Sequence, residues 1–267
     1  MSAVRKVGIL GGMGPAAGVD FVRLFLAACE AHLHARGQAI RDQAYPEHWM
    51  VQVPAPDRTA ALLEGGLSPF PSMARALQGL QHEGVATVAI ACNTAHAWHA
   101  DMQRECPGIE LLHIVQETTA QLVCEGITSI ALLATLGTYR LGLYEGALQQ
   151  AGIDCHLPRP DEQAAVMRGI SEGVKAGDLA LATALFTEVA ARMVERHRCQ
   201  AVVMACTEIP LALQALAGHP AVRLVNPAQV LAGVLAQRAY RGHGQQQLSA
   251  GAPGRLCETA SSPRRDA

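Results

Sequence analysis

The chain has 267 residues, 50% of them apolar and 16% charged, enough to bury one large core or two smaller ones. Its formal net charge of −2 gives no electrostatic footprint for nucleic acid or for an anionic membrane surface. No apolar run is long enough to span a membrane, and the opening MSAVRKVGILGGMGP enters a strand pattern instead of a signal-cleavage site, so a soluble cytoplasmic protein is expected.

In chain order, β-branched apolar runs at residues 7–10, 49–53, 87–91 and 111–115 read as strands, with helical spacing over 16–34 and 72–82 between them. Further strands are expected at 129–133, 201–205 and 222–225, and further helices at 138–151 and 178–198. Gly37, Gly84, Gly126 and Gly152 stand where helices would stop. Alternating strands and helices imply an α/β fold with parallel sheets and helical crossovers.

The two halves echo each other. VGILGGMGPAA is matched by IALLATLGTYR, TVAIACNTAHA by AVVMACTEIPL, and LLHIVQETTAQLV by VRLVNPAQVLAGVL, in the same order. The matches suggest an internal duplication and two pseudo-symmetric lobes, each a parallel β-sheet flanked by helices. The first would occupy residues 1–115, completed by about 226–240, and the second residues 116–225. Ligands of open parallel sheets bind at the carboxyl ends of the strands, which places the expected site in the cleft between the lobes. From 241 to 267 the periodicity is lost to Gly, Gln, Ser, Pro and Arg, the composition of a disordered tail, and Cys257 there reads as an incidental thiol.

Eight cysteines without a CxxC pair are too sparse for a disulfide scaffold. Cys92 and Cys206 stand apart, because each follows a strand and precedes a helix at equivalent points of the duplicated pattern. A thiol at a helix start is favoured as thiolate, while the bland alternative is a small buried residue at a strand end. Asn93-Thr94 and Thr207-Glu208 offer hydrogen bonds to a substrate or to the thiols, or serve as helix caps. Met13 and Gly14 belong to a Gly-rich turn close to a dinucleotide fingerprint. No acidic residue ends the second strand, so either its backbone N–H groups hold a carboxylate or it is simply a turn. Thr135 occupies the matching turn of the second half. Arg58 can clamp a carboxylate and Lys175 carries a second positive charge; taken alone, both are ordinary surface cations. Cys92, His96 and His99 could be imagined as metal ligands, but without a fourth ligand at zinc spacing the histidines read as core or supporting groups.

GILGGMGP, APDRTAALL, ACNTAHA, VMRGISEGVKAG and ACTEIPL occur in the order seen in aspartate/glutamate racemases, the PLP-independent branch of the Asp/Glu/hydantoin racemase superfamily, which this chain resembles from about residue 5 to 240. The resemblance implies a catalytic cysteine from each lobe, here Cys92 and Cys206, with Arg58 and Lys175 as carboxylate contacts, and a homodimer. It further implies that Cys92 would take the proton from the D-isomer and Cys206 from the L-isomer of a small amino acid, aspartate or glutamate. The sequence departs from many relatives at VQVPAP and at Asn226-Pro227, where an aspartate is expected. No cofactor or metal is expected. The alternatives are a decarboxylase or cis–trans isomerase of a small diacid on the same scaffold, or a non-catalytic amino-acid-binding protein.

Overall fold

The computed structural model describes residues 4–216 and 218–241, so the expected tail and its Cys257 lie outside the described residues apart from Arg241. The first half contains β1 (Val7–Gly11), α1 (Pro15–Ala35), β2 (His48–Gln52), α2 (Arg58–Leu63), α3 (Phe70–His82), β3 (Thr87–Ile90), α4 (His99–Glu105), β4 (Glu110–Leu111) and α5 (Ile114–Cys124). The second contains β5 (Ser129–Ala134), α6 (Leu136–Leu141), α7 (Glu145–Gln150), β6 (Asp154–His156), α8 (Pro160–Arg168), α9 (Leu179–His197), β7 (Ala201–Ala205), α10 (Ile209–Ala212), β8 (Arg223–Val225) and α11 (Pro227–Tyr240). Each half builds a four-stranded parallel sheet, ordered β2-β1-β3-β4 and β6-β5-β7-β8. The shared order is what duplication requires.

The sheets are covered on both faces, which explains why β1 and β7 are unbroken apolar runs, why β3 is apolar after Thr87, and why every residue in the three is buried. Side chains of a strand alternate between faces. Val7, Ile9, Ile130, Leu132 and Val203 therefore share one core with Phe21 of α1, Leu122 of α5 and Leu231 of α11. Leu10, Val88 and Ile90 face the other way, onto Met73, Leu77 and Leu80 of α3. Leu133, Val202 and Met204 pack on Phe186 and Met193 of α9. Helix α11 packs on α1 and α5 and reaches both β3 and β7, so the last helix lies between the sheets.

Three expectations need correction. The apolar run at 111–115 is a strand only at Glu110–Leu111; Ile114 and Val115 open α5, with both side chains buried. Apolarity alone does not separate a short strand from a buried helical turn. The helix expected over 138–151 is broken, because Gly142 adopts a left-handed conformation (φ 60°) that ends α6 before α7 begins. Strand β6 escaped detection, since a three-residue edge strand reading Asp-Cys-His carries no apolar pattern. Gly37, Gly84, Gly126 and Gly152 do stand at helix ends with positive φ. No helix among the described residues is long and apolar enough to cross a membrane.

Beyond α8 the chain continues as a π-helix, Gly169–Val174, closed by a Lys175 N–H bond to the Ile170 carbonyl (3.0 Å). It lies tight on α9: a Cβ on Gly173 would stand 2.7 Å from Ala182 Cβ and 3.0 Å from its Cα. Backbone cannot yield as a side-chain tip can, so Gly173→Ala should cost about 1–3 kcal/mol by overpacking. At roughly 2–4 °C per kcal/mol for a chain of this size, calorimetry should find a melting temperature lowered by several degrees. An unchanged midpoint would mean that this contact is not tight in solution.

Candidate active site

Cys206 directly follows β7, and Cys92 lies two residues beyond β3; both are buried. The two thiols line one narrow cavity of about 40 Å³. Met13 enters it from the turn after β1, Arg58 from the start of α2, Asn93 and Thr94 from behind Cys92, and Thr135 from the turn after β5. Lys175, at the end of the π-helix, and Thr207 and Glu208, behind Cys206, also line it, so that of the expected catalytic and substrate-binding residues only Gly14 is not part of the cavity wall. Asp57, Thr59, Met167 and Ile170 also line the cavity. The first two flank Arg58 in the same motif and were legible by proximity, whereas Met167 lies near the end of α8 and Ile170 in the π-helical turn, which no sequence signal announced.

The Gly-rich turn has a local cause. Gly12 has φ 93°, and a Cβ there would lie 2.4 Å from the Val53 backbone. Glycine lets this turn pass the chain leaving β2, and nothing in that contact requires a nucleotide. The Gly14 N–H donates to Glu208 Oε1 (3.1 Å), so the N–H at this helix start holds a carboxylate belonging to the other half of the protein itself. Glu208 Oε2 accepts from the Cys206 thiol (3.0 Å) and the Thr207 hydroxyl (3.3 Å). Neither Asn93 nor Glu208 caps the helical turn behind it with its side chain, so both side chains are left to the cavity.

The expected preference for thiolate does not hold in this state. Burial pushes the Cys92 thiol up, partly offset by the neighbouring Arg58 guanidinium, and Glu208 adds to the rise. Burial pushes Cys206 up strongly, and the adjoining Glu208 carboxylate pushes in the same direction. Helix starts are weak here because the elements behind the thiols are short, a 3-10 segment at Thr94–Trp98 and the four-residue α10. Desolvation outweighs them.

Arg58 is buried and oriented by backbone: Nη2 donates to the Met13 carbonyl (2.9 Å), and Nη1 to those of Ala55 (3.2 Å) and Pro56 (3.1 Å). Nε is buried without a partner, leaving that edge of the guanidinium for an acceptor. Thr94, Thr135 and Thr138 join hydroxyls across the two halves at 2.9–3.2 Å. Thr135 also caps α6, so there the cap and the cavity wall are one residue.

Behind Cys92, His96 uses Nδ1 on the Cys92 carbonyl (2.8 Å) and His99 uses Nε2 on the Leu111 carbonyl (2.8 Å). With His113 they form a cluster of imidazoles, the ring centres 4.5–5.9 Å apart. No group of three His, Cys, Asp or Glu among the described residues is arranged to hold a metal ion. Burial and the neighbouring imidazoles push His96 down to about 3 and His113 to about 4. The unfolded chain takes up these protons below its ordinary histidine value near 6.5 while the folded chain does not, so stability is lost as pH falls from there. His96 alone should contribute up to about 1.4 kcal/mol per pH unit. Unfolding midpoints between pH 6.5 and 4 should fall less steeply in His96→Gln, which keeps a polar side chain and does not titrate; equal slopes would show that His96 protonates freely in the fold.

Comparison with known proteins places this geometry. Among solved structures the chain is similar to an aspartate racemase from Picrophilus torridus, with TM-score 0.73, 27% identity, and coverage of 88% of this chain and 94% of that one. It shares its fold with a glutamate racemase from Francisella tularensis in complex with D-glutamate (TM-score 0.59, 16% identity, 87% and 80% covered). RacX, a broad-specificity amino-acid racemase of Bacillus subtilis, is 25% identical over 156 residues, or 55% of this chain and 61% of that protein. The model of the Asp/Glu/hydantoin racemase family matches residues 10–235, which takes in seven of the eight strands, the end of β1 and every residue of the cavity. The chain belongs to the Asp/Glu/hydantoin racemase family and is a racemase, an isomerase.

Proposed function

We propose that the chain racemises aspartate, glutamate or both without PLP, nucleotide or metal, with Cys92 and Cys206 as opposed acid and base. The observation that carries this reading is two thiols from equivalent strand ends lining one cavity. Arg58 and Lys175 line it too, and two cations suit a substrate with two carboxylates. The names of the similar proteins agree, as they include aspartate, glutamate and broad-specificity racemases. A decarboxylase or diacid isomerase has less use for two equivalent thiols, and a binding protein has none.

Racemisation removes the α-proton from one face and delivers one to the other. With an L-substrate, Cys206 passes its proton to Glu208, and the resulting thiolate takes the α-proton. Cys92 then gives its own proton to the opposite face and is left as a thiolate beside Arg58. With a D-substrate the steps run backwards: Cys92 first gives up its proton to Glu208, the Cys92 thiolate takes the α-proton, Cys206 delivers one to the opposite face, and protonated Glu208 restores the Cys206 thiol. After an L-to-D turnover the proton held by Glu208 returns to Cys92. Arg58 and Lys175 hold the carboxylates and stabilise the charge that develops at the α-carbon.

Incubation with L- and D-amino acids in heavy water tests this most directly. Cys92→Ala or Cys206→Ala should abolish inversion. Each variant should still wash out the α-proton of the one enantiomer its remaining thiol faces, with opposite preference in the two variants. Full two-way racemisation by either would sink the two-thiol mechanism. Arg58→Ala should lower kcat/KM by about one to two orders of magnitude, the worth of a charged hydrogen bond. Arg58→Lys should also be impaired, because an ammonium cannot reproduce the planar fork. Unchanged kinetics on aspartate and glutamate would remove Arg58 from substrate binding.

A further inference from the structure

Asn93 lines the cavity beside Cys92, yet its amide is only half satisfied. Oδ1 accepts from the Tyr144 hydroxyl at 2.5 Å, while Nδ2 is buried and has no partner. A buried donor left unmet is costly and calls for an acceptor. Tyr144 is itself fully buried, precedes α7 in the other half of the chain and is absent from the cavity wall. A carboxylate in the cavity can only accept, so it needs Nδ2 turned toward it, and a phenol O–H is the matching donor for the Oδ1 left behind.

We propose that Tyr144 is a positioning residue: its hydroxyl fixes the Asn93 amide so that Nδ2 faces the cavity as a donor to a substrate carboxylate. The inference rests on the racemase reading above. The carboxylate gains charge as the α-proton leaves, so this donor matters more in the transition state than in the bound substrate. Tyr144→Phe keeps the ring and removes the pin, reducing the fraction of Asn93 in the competent orientation. Its kcat should fall roughly three- to ten-fold with little change in KM.

The test is a double-mutant cycle of Tyr144→Phe and Asn93→Ala, with kcat and KM read in both directions and rates normalised to folded protein. Each single variant should lose kcat with KM nearly unchanged, and the double variant should be no worse than Asn93→Ala. Wild-type kinetics in Tyr144→Phe, or losses that multiply in the double variant, would overturn the inference and leave the racemase reading standing. A wild type that exchanges no α-proton would sink both. If Tyr144→Phe does not fold, the wild type answers by NMR with labelled asparagine. The side-chain NH2 signal missing from Asn93→Ala should be a single sharp pair and shift when succinate is added; an unmoved signal would overturn the proposal.

Discussion

In a parallel sheet all carboxyl ends lie along one edge, and in each half of this chain two central strands, β1 and β3 or β5 and β7, are hydrogen-bonded on both sides. The turns leaving those four strands carry Met13, Cys92 to Thr94, Thr135 and Cys206 to Glu208. The two cations follow the same rule at one remove. Arg58 begins the segment after β2 and Lys175 ends the segment after β6, so equivalent crossovers supply both. Topology thus fixes where thiols and charges can meet before any individual contact is considered.

What holds that meeting together is polar and buried. Glu208 to Gly14, Thr94 to Thr135 and Tyr144 to Asn93 each join one half of the chain to the other in a setting of low dielectric constant. Such bonds are strong when complete and costly when incomplete, which favours one relative placement of the halves. The same dryness sets the acid–base chemistry. Both thiols are pushed up because water has been removed from them, and at Cys92 the Arg58 guanidinium, with the Ala95 N–H, pulls the other way. The two sulfurs are therefore alike in burial and unlike in partners, a cation beside one and a carboxylate beside the other.

Much of this was legible in the sequence because it was written twice. The Ala-Cys pair at the end of both central strands pointed to the cavity, and the repeated strand–turn–helix pattern pointed to the paired sheets. The long helices α1, α3 and α9 were visible because an amphipathic face imposes its period over several turns. Features that depend on tertiary contact were not visible. The three-residue β6 exists by pairing with β5, the π-helical turn that brings Ile170 to the cavity exists by packing on α9, and the Tyr144 bond spans 51 residues of sequence. The thiol acidity was misjudged for a related reason: helix position can be read from sequence, whereas desolvation belongs to the packed state.

Glu208 combines two duties that are usually separate. One of its oxygens ties the two halves together through Gly14, and the other receives the Cys206 thiol. The same carboxylate, together with burial, holds the Cys206 sulfur as a neutral thiol. Neutral thiols resist alkylation and oxidation far better than thiolates, so the latch that joins the halves also shields the sulfur from peroxide while it is shut.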